Sequence, residues 1–131
     1  MRNLITLSLL LFTFSLQAQM SANQLLLIEE APVYSAPAFP GGEAELLGYI
    51  ASKLDYPELA QEYNVEGMVV ARLQLNPSGE VQSTTIVKSL GFGCDEAVLE
   101  VIDSMPRWQP ARYGDQAEYS VVYLPVRFSL R

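Results

Sequence analysis

The sequence predicts a two-layer α+β domain, in which a three-stranded antiparallel sheet carries two helices on one face. Three observations predict it: a long final stretch of alternating apolar residues, a proline-free strand joined to a returning strand by a tight turn, and two amphipathic helical segments. The predicted strand order in the sheet is 81–89, 67–75, 117–130. Helices on one face would bury the apolar side of each layer.

The final stretch, residues 117–130, is the longest strand-like run in the 131-residue chain. Its even positions form an unbroken apolar row: Val122, Leu124, Val126, Phe128 and Leu130. This alternation predicts one face on a core and one wetter face. Pro125 has no N–H for a sheet ladder, which places the strand at an edge or a bulge. Backbone groups that point outward from an edge are free to pair with another strand.

The central strand is predicted over residues 67–75, where Gly67 opens a run of alternating apolar residues. Asn76-Pro77-Ser78-Gly79 is typical of a turn, because proline sets φ and glycine adopts conformations that other residues resist. Residues 81–89 are predicted to return as the second strand of a hairpin, although the pattern does not show which of their side chains face the core.

Two helices are predicted from apolar residues at helical spacing. The first follows Gly41-Gly42 and ends at Asp55-Tyr56-Pro57, where Pro57 can open a further short turn of helix through Tyr63. The second is predicted over 94–105 by this series: Cys94, Ala97, Val98, Val101, Ile102 and Met105. Trp108 and Pro110 then form a rigid corner. The Trp108 indole is predicted to be buried in the core; the alternative is that it forms a platform for a ligand.

The first 18 residues are typical of a secretory signal peptide: a basic start, an apolar run from Leu4 to Leu16, and a small residue at Ala18. We expect cleavage after Ala18 and a periplasmic protein that begins near Gln19. The alternative is an uncleaved inner-membrane anchor, for which the apolar run is shorter than the roughly 20 residues of a spanning helix. Residues 19–38 are predicted to form an extended proline-containing arm, either a loose tail or a strand on the body, and residues 39–131 the domain.

Composition excludes several classes of function. The net charge of −7, without a basic cluster, argues against nucleic acid and against anionic membranes. The chain has no His, and its one Cys, Cys94, falls on the apolar stripe of a helix, where a buried, inert thiol is expected; a disulfide to another chain is the alternative. The glycine pairs lack the lysine of a phosphate loop. We therefore predict no catalytic residues, no metal site, no cofactor and no enzymatic activity.

Several motifs, in order, resemble the C-terminal domain of TonB, in particular its Bacteroidetes-type branch. They are Phe39-Pro40-Gly41-Gly42, Tyr56-Pro57, Val65-Glu66-Gly67, Pro77-Ser78-Gly79, Met105-Pro106-Arg107-Trp108-Gln109-Pro110 and Leu124-Pro125-Val126-Arg127-Phe128. The resemblance covers roughly residues 38–131. It implies a TonB C-terminal domain-like fold, with Pro40, Gly41, Gly42, Tyr56, Pro57, Gly67, Gly79, Trp108, Pro110 and Pro125 as structural motif residues.

The resemblance also implies a function: the domain binds outer-membrane TonB-dependent transporters by pairing its final strand with their short TonB-box peptides. From the edge argument we expect a peptide to bind along the strand, with these contact residues: Tyr113, Tyr119, Val121, Tyr123 and Arg127. A complete TonB has an uncleaved membrane helix and a long proline-rich spacer. This chain is expected to be a short stand-alone form, so the resemblance does not extend to coupling with inner-membrane motor proteins of the ExbB/ExbD kind.

A second hypothesis is a structural or assembly protein, whose sheet edge pairs with its own arm or with a second copy in a homodimer. The arm segment 24–34 distinguishes the two hypotheses. An arm that pairs with residues 117–123 would occupy the edge, whereas an arm that leaves them free would keep the edge available for a client peptide.

Overall fold

The computed structural model describes residues 32–130, so the expectations for the signal peptide and for the arm up to residue 31 lie outside the described residues. Nine elements follow along the chain: β1 (Tyr34–Ser35), α1 (Glu43–Lys53), α2 (Glu58–Glu62), β2 (Gly67–Leu75), β3 (Val81–Lys88), α3 (Cys94–Asp103), β4 (Ala111–Tyr113), β5 (Gln116–Glu118) and β6 (Ser120–Phe128). The architecture is α+β, as predicted. Residues 32–130 contain three helices, among them the short α2 that Pro57 precedes.

The main sheet has the order β3-β2-β6, and both outer strands are antiparallel to β2. This confirms the predicted order. The pairing of β2 with β6 is regular over nine residues, and Leu73, for example, lies opposite Val122. In the described part of the chain β6 pairs with β2 only, which places the strand that carries Pro125 at a sheet edge.

The pairing of β2 with β3 contains an irregularity that explains why the face pattern of 81–89 was ambiguous. Ala71 lies opposite Ile86 but the preceding residue, Val70, lies opposite Lys88, so Val87 is an extra residue in the ladder. A bulge of this kind breaks the alternation of side chains between the two faces. A second register shift, between Gln74 and Leu75, makes Gln82 another extra residue, so the two-residue period holds only over residues 83–86, between the two shifts.

A second sheet, with the order β1-β4-β5, corrects the prediction of one continuous final strand over 117–130. That stretch forms two strands, which separate at Tyr119. β5 turns back at Gly114-Asp115 and pairs with β4, where Ala111 lies opposite Glu118. The polar residues of 114–118 support a short hairpin, whereas the apolar alternation that supports the long edge strand begins only at residue 120.

The core lies between the main sheet and the helices. Alternate residues of β2 are fully buried, and β6 contributes its even positions Leu124, Val126 and Phe128. Helix α3 buries Cys94, Val98, Val101 and Ile102, which confirms its predicted amphipathic face. The intervening residues of β2 are half-buried on the opposite face of the sheet. The helices therefore cover one face, as predicted.

The loop between β3 and α3 is held by one carboxylate. Asp95 accepts hydrogen bonds from the Ser89 hydroxyl, from the Leu90 N–H at 3.0 Å and from the Gly91 N–H at 3.4 Å. Burial acts to raise the pKa of Asp95, but the three hydrogen bonds outweigh it and hold the pKa below its ordinary value. The ionised carboxylate thus stabilises the start of α3.

We expect Asp95→Ala to lower the free energy of unfolding at neutral pH by about 1–3 kcal/mol, because the variant loses hydrogen bonds to a charged acceptor. A carboxyl with a lowered folded-state pKa stabilises the protein above its unfolded pKa and ceases to do so as pH falls through the folded pKa. The stability difference from the wild type should therefore be full at pH 7 and shrink below about pH 4. Urea unfolding at a series of pH values measures it; a difference that does not change with pH would contradict this role.

Candidate peptide-binding edge

The outer side of β6 is the strand edge that the sequence predicts as a binding site, and within residues 32–130 it has no partner strand. Side chains alternate along it: the even positions from 124 point into the core, while Val121, Tyr123, Pro125 and Arg127 are exposed. Pro125 lies opposite Val70, within a ladder that shows no register shift. The proline is thus accommodated by the edge position and not by a bulge.

Three of the five predicted contact residues, Val121, Tyr123 and Arg127, lie together on one face of β6. Tyr123 is 62% exposed and Val121 is 40% exposed. Their neighbours across the ladder are Gln74 and Arg72 of β2. The side chains therefore project from the face of the sheet that lies opposite the helices, beside the free backbone edge.

The other two predicted contact residues are placed differently. Tyr119 lies at the junction between β5 and β6 and is 61% exposed. Tyr113 ends β4 in the second sheet, opposite Tyr34 of β1 and Gln116 of β5. The structure therefore does not place Tyr113 on the strand that carries the other three.

The described end of the arm pairs with the second sheet. Tyr34 and Ser35 form β1 against β4, and the Gly114 N–H donates to the Val33 carbonyl oxygen at 2.9 Å. Ala38 and Gln109 exchange two backbone hydrogen bonds, of 3.0 and 2.8 Å. Residues 33–38 therefore run along 109–114, and in the described part of the chain they do not pair with β6.

The motif residues form the frame behind the edge. Tyr56 donates to the Val65 carbonyl oxygen and contacts the Phe128 ring edge-on at a centroid distance of 5.4 Å. Glu66 accepts a hydrogen bond of 2.7 Å from the Leu130 N–H, just beyond the end of β6. These contacts join the segment before β2 to the end of the edge strand, and so fix the position of β6.

Cys94 and the acidic residues do not form a catalytic constellation in the described residues. Cys94 is fully buried, and burial raises the pKa of its thiol, with a smaller contribution in the same direction from Asp95 and Glu96. Across residues 32–130, no group of three or more His, Cys, Asp or Glu side chains could hold a metal ion. A raised thiol pKa disfavours the reactive thiolate at neutral pH.

The molecule also has a groove that the sequence did not predict, at the β3 edge of the main sheet. It has a volume of about 480 Å³ and lies between β3 and α3, with Val81, Thr84, Leu99 and Met105 among its lining residues. Glu80 and Arg107 form an ion pair of 3.2 Å at one end. The two register shifts in β3 concealed which of its residues face α3, so the sequence carried no clear signal for this groove.

Comparison with known proteins identifies the family. The sequence profile described as Gram-negative bacterial TonB protein C-terminal matches residues 52–130. The chain belongs to the TonB C-terminal domain family. The match begins within α1 and includes all three strands of the main sheet, which confirms the resemblance deduced from the motifs.

Two kinds of relative agree with this assignment. Protein tonB2 of Pseudomonas aeruginosa is 34% identical over 79 residues, which cover 58% of this chain and 28% of that protein. The chain thus spans less than a third of the length of the curated relative it matches. Solution structures of the Helicobacter pylori TonB C-terminal domain superpose with TM-scores of 0.50 and 0.51, at 26% and 29% identity; they cover 66% and 70% of this chain, and 90% and 87% of the neighbours.

None of the helices within residues 32–130 is both long enough and apolar enough to cross a membrane.

Proposed function

We propose that this TonB C-terminal domain acts in the periplasm as a binding module for outer-membrane TonB-dependent transporters. It binds their TonB-box peptides by strand addition to the outer side of β6 and so takes part in energy-coupled transport. The observation that carries this proposal is the outer edge of β6, a regular strand of nine residues that contains a proline and pairs with β2 alone among the residues that the structure describes. We do not extend this proposal to coupling with inner-membrane motor proteins or to an enzymatic activity.

The position of Pro125 supports an edge that offers hydrogen bonds to a client. Backbone groups of alternate residues in a strand point to opposite sides. Since Pro125 has no N–H, the ladder to β2 is complete when residues 122, 124 and 126 bond to β2 and the odd residues point outward. Val121 and Tyr123 would then present free N–H and C=O groups to a client strand, and Pro125 would interrupt the row of donors before Arg127.

The expected affinity is modest. Each hydrogen bond contributes roughly 1 kcal/mol net, so four to six main-chain bonds would give only weak binding. Side-chain contacts must supply the rest, and Val121, Tyr123 and Arg127 lie next to the edge, with Tyr119 at its start. Weak binding suits a module that must release its transporter in each cycle.

We expect Val121→Pro to weaken the binding of transporter N-terminal peptides about 5–10-fold, because it removes one outward N–H. Val121→Ala is the matched control: it removes more of the side chain but keeps the N–H, so its loss of affinity measures the side-chain contact alone and should be smaller than that of Val121→Pro. Isothermal titration of both variants and of the wild type measures the difference, after circular dichroism has shown that all three are folded.

Equal affinity of a folded Val121→Pro variant and the wild type would overturn strand addition at this edge. The assembly hypothesis would then be preferred, and sedimentation of the wild type should show a homodimer. A TonB-box peptide with methylated backbone nitrogens at alternate positions provides a second test. Alternate nitrogens can be methylated in two patterns, and only the pattern that methylates the nitrogens facing β6 should abolish binding.

A further inference from the structure

The face of the main sheet opposite the helices, here called the open face, differs in charge from the rest of the molecule. The chain carries a net charge of −7, yet β2, β3 and β6 contain no Asp or Glu. Of its 8 Lys and Arg residues, all but Arg2 and Arg131 lie in the described part. Half of those described are on the open face: Arg72, Lys88 and Arg127. The sheet thus presents a local positive surface on an acidic protein.

Register places these three cations on the same face. Arg72 lies opposite Thr85 on one side and opposite the exposed Tyr123 on the other. Lys88 lies opposite Val70, and Arg127 lies opposite Met68. Cross-strand partners point to one face of a sheet, and the β2 members of these pairs are half-buried residues on the side away from the core.

Arg72 has no opposite charge to neutralise it among the described residues. It is half-buried in the central strand, and the ion pair that residues 32–130 do contain joins Arg107 to Glu80 at the groove beside α3. An arginine guanidinium is a strong donor for a carboxylate, and Tyr123 lies opposite Arg72 on the same face. The centre of the open face is therefore built to receive an anion.

The three cations lie on three neighbouring strands. Arg72 is on β2, Lys88 lies beside Val70 on β3, and Arg127 lies beside Met68 on β6, so they form a triangle across the open face. Neighbouring strands are about 4.8 Å apart and alternate residues of one strand about 7 Å apart, so the sides of this triangle measure roughly 8–14 Å. Aliphatic and aromatic side chains, such as Val70 and Tyr123, lie between the cations.

We propose that the open face docks an acidic segment of a partner protein, whose carboxylates pair with Arg72, Lys88 and Arg127 and whose small apolar residues contact the side chains between these cations. An anionic membrane or a nucleic acid fits less well, because a net charge of −7 repels an extended negative surface. A short acidic segment responds mainly to charges within a Debye length of about 8 Å. The contact uses side chains of the face and not the backbone edge of β6. It shares Tyr123 and Arg127 with the proposed strand addition but does not require the outward N–H groups of β6.

The probe is a synthetic peptide in which glutamate alternates with N-methylalanine, because methylated nitrogens reduce its ability to add to the edge as a strand. A glutamine version of the same peptide is the matched control. We expect the glutamate peptide to bind at least about tenfold more tightly than the glutamine peptide, and its affinity to fall several-fold between about 50 and 300 mM sodium chloride. Equal binding of the two peptides would overturn the proposal.

Charge variants locate the contact. Arg72→Gln with Arg127→Gln should weaken binding of the glutamate peptide at least about tenfold, whereas Lys53→Gln, which removes a cation from α1, should change it less than about twofold. If the double variant does not fold, Arg127→Gln with Lys88→Gln replaces it, since both side chains are exposed. Equal losses in the face and α1 variants would mean that only net charge matters, and would contradict a docking site.

Nuclear magnetic resonance distinguishes this inference from the proposed function. The glutamate peptide should shift side-chain signals of Arg72, Val70 and Tyr123, and should do so in Val121→Pro as well as in the wild type. Shifts confined to the helices would overturn the proposal. Vesicles rich in phosphatidylglycerol serve as the other anionic probe. Sedimentation of the protein with them, together with no peptide binding, would assign the face to a membrane and reject an acidic segment.

Discussion

Replacing Trp108 with alanine is expected to lower the free energy of unfolding by about 3–5 kcal/mol. The indole is 5% exposed and packs edge-on against Phe39, with the ring centroids 5.4 Å apart and the planes at 83°. Its Nε1 has no hydrogen-bond partner among the described residues. The side chain therefore contributes through packing and burial, and alanine would leave a large cavity between the corner and α1.

The substitution is measured by urea unfolding followed by circular dichroism, since the variant lacks the chain's one tryptophan as a fluorescence probe. Trp108→Phe is the matched control: it keeps an aromatic ring against Phe39 and should cost less than half as much. An unfolding midpoint of Trp108→Ala equal to that of the wild type would show that the ring is not part of the core. A ligand-facing role for the indole would then be preferred.

The main sheet could be predicted from sequence because its signals are local and independent. Period-two alternation fixed which side of β2 and β6 faces the core, the turn before Gly79 fixed the hairpin, and Pro125 fixed the edge. The last of these is a chemical constraint, since no residue context gives proline an N–H. With β2 and β3 joined as a hairpin and β6 at an edge, the simplest order has β2 in the centre, and the structure has this order.

The second sheet could not be predicted because its strands are too short for a periodic signal. β1 has two residues, and β4 and β5 have three each. Their pairing is decided by tertiary contacts: the arm lies along 109–114 because Ala38 and Gln109 exchange hydrogen bonds. Tyr119 was assigned to the edge strand on its β propensity, whereas the structure places it at the junction where the chain leaves one sheet for the other.

The candidate site was partly accessible from sequence for a similar reason. Val121, Tyr123 and Arg127 share a face because they share a strand, so alternation alone brings them together. Tyr113 was chosen for its chemistry and its nearness in sequence, and it lies in the second sheet. The cationic open face requires the registers of β3 and β6 against β2, and the bulge at Val87 hides the first of these registers.

Replacing Gly79 with alanine is the second large effect that the structure predicts, with an expected loss of about 2–4 kcal/mol. Gly79 has φ +84°, a left-handed conformation that costs an L-residue about 1–2 kcal/mol. A Cβ built there would lie 1.8 Å from the Trp108 carbonyl oxygen. Relief of this clash requires the turn to move from the corner and stretches the hydrogen bond of 2.8 Å from the Trp108 N–H to the Gly79 carbonyl oxygen.

Gly48→Ala is the matched control for this prediction, because it makes the same substitution at a site without either constraint. Gly48 lies in α1, and a Cβ there would meet no atom within 4 Å. Alanine is a better helix former than glycine by about 1 kcal/mol, so this variant should unfold at a higher urea concentration than the wild type. Opposite shifts of the two variants are expected in one urea titration series. If Gly79→Ala were as stable as the wild type, the turn 76–79 would not be docked on the Trp108 corner, and the close approach that explains this glycine would be wrong.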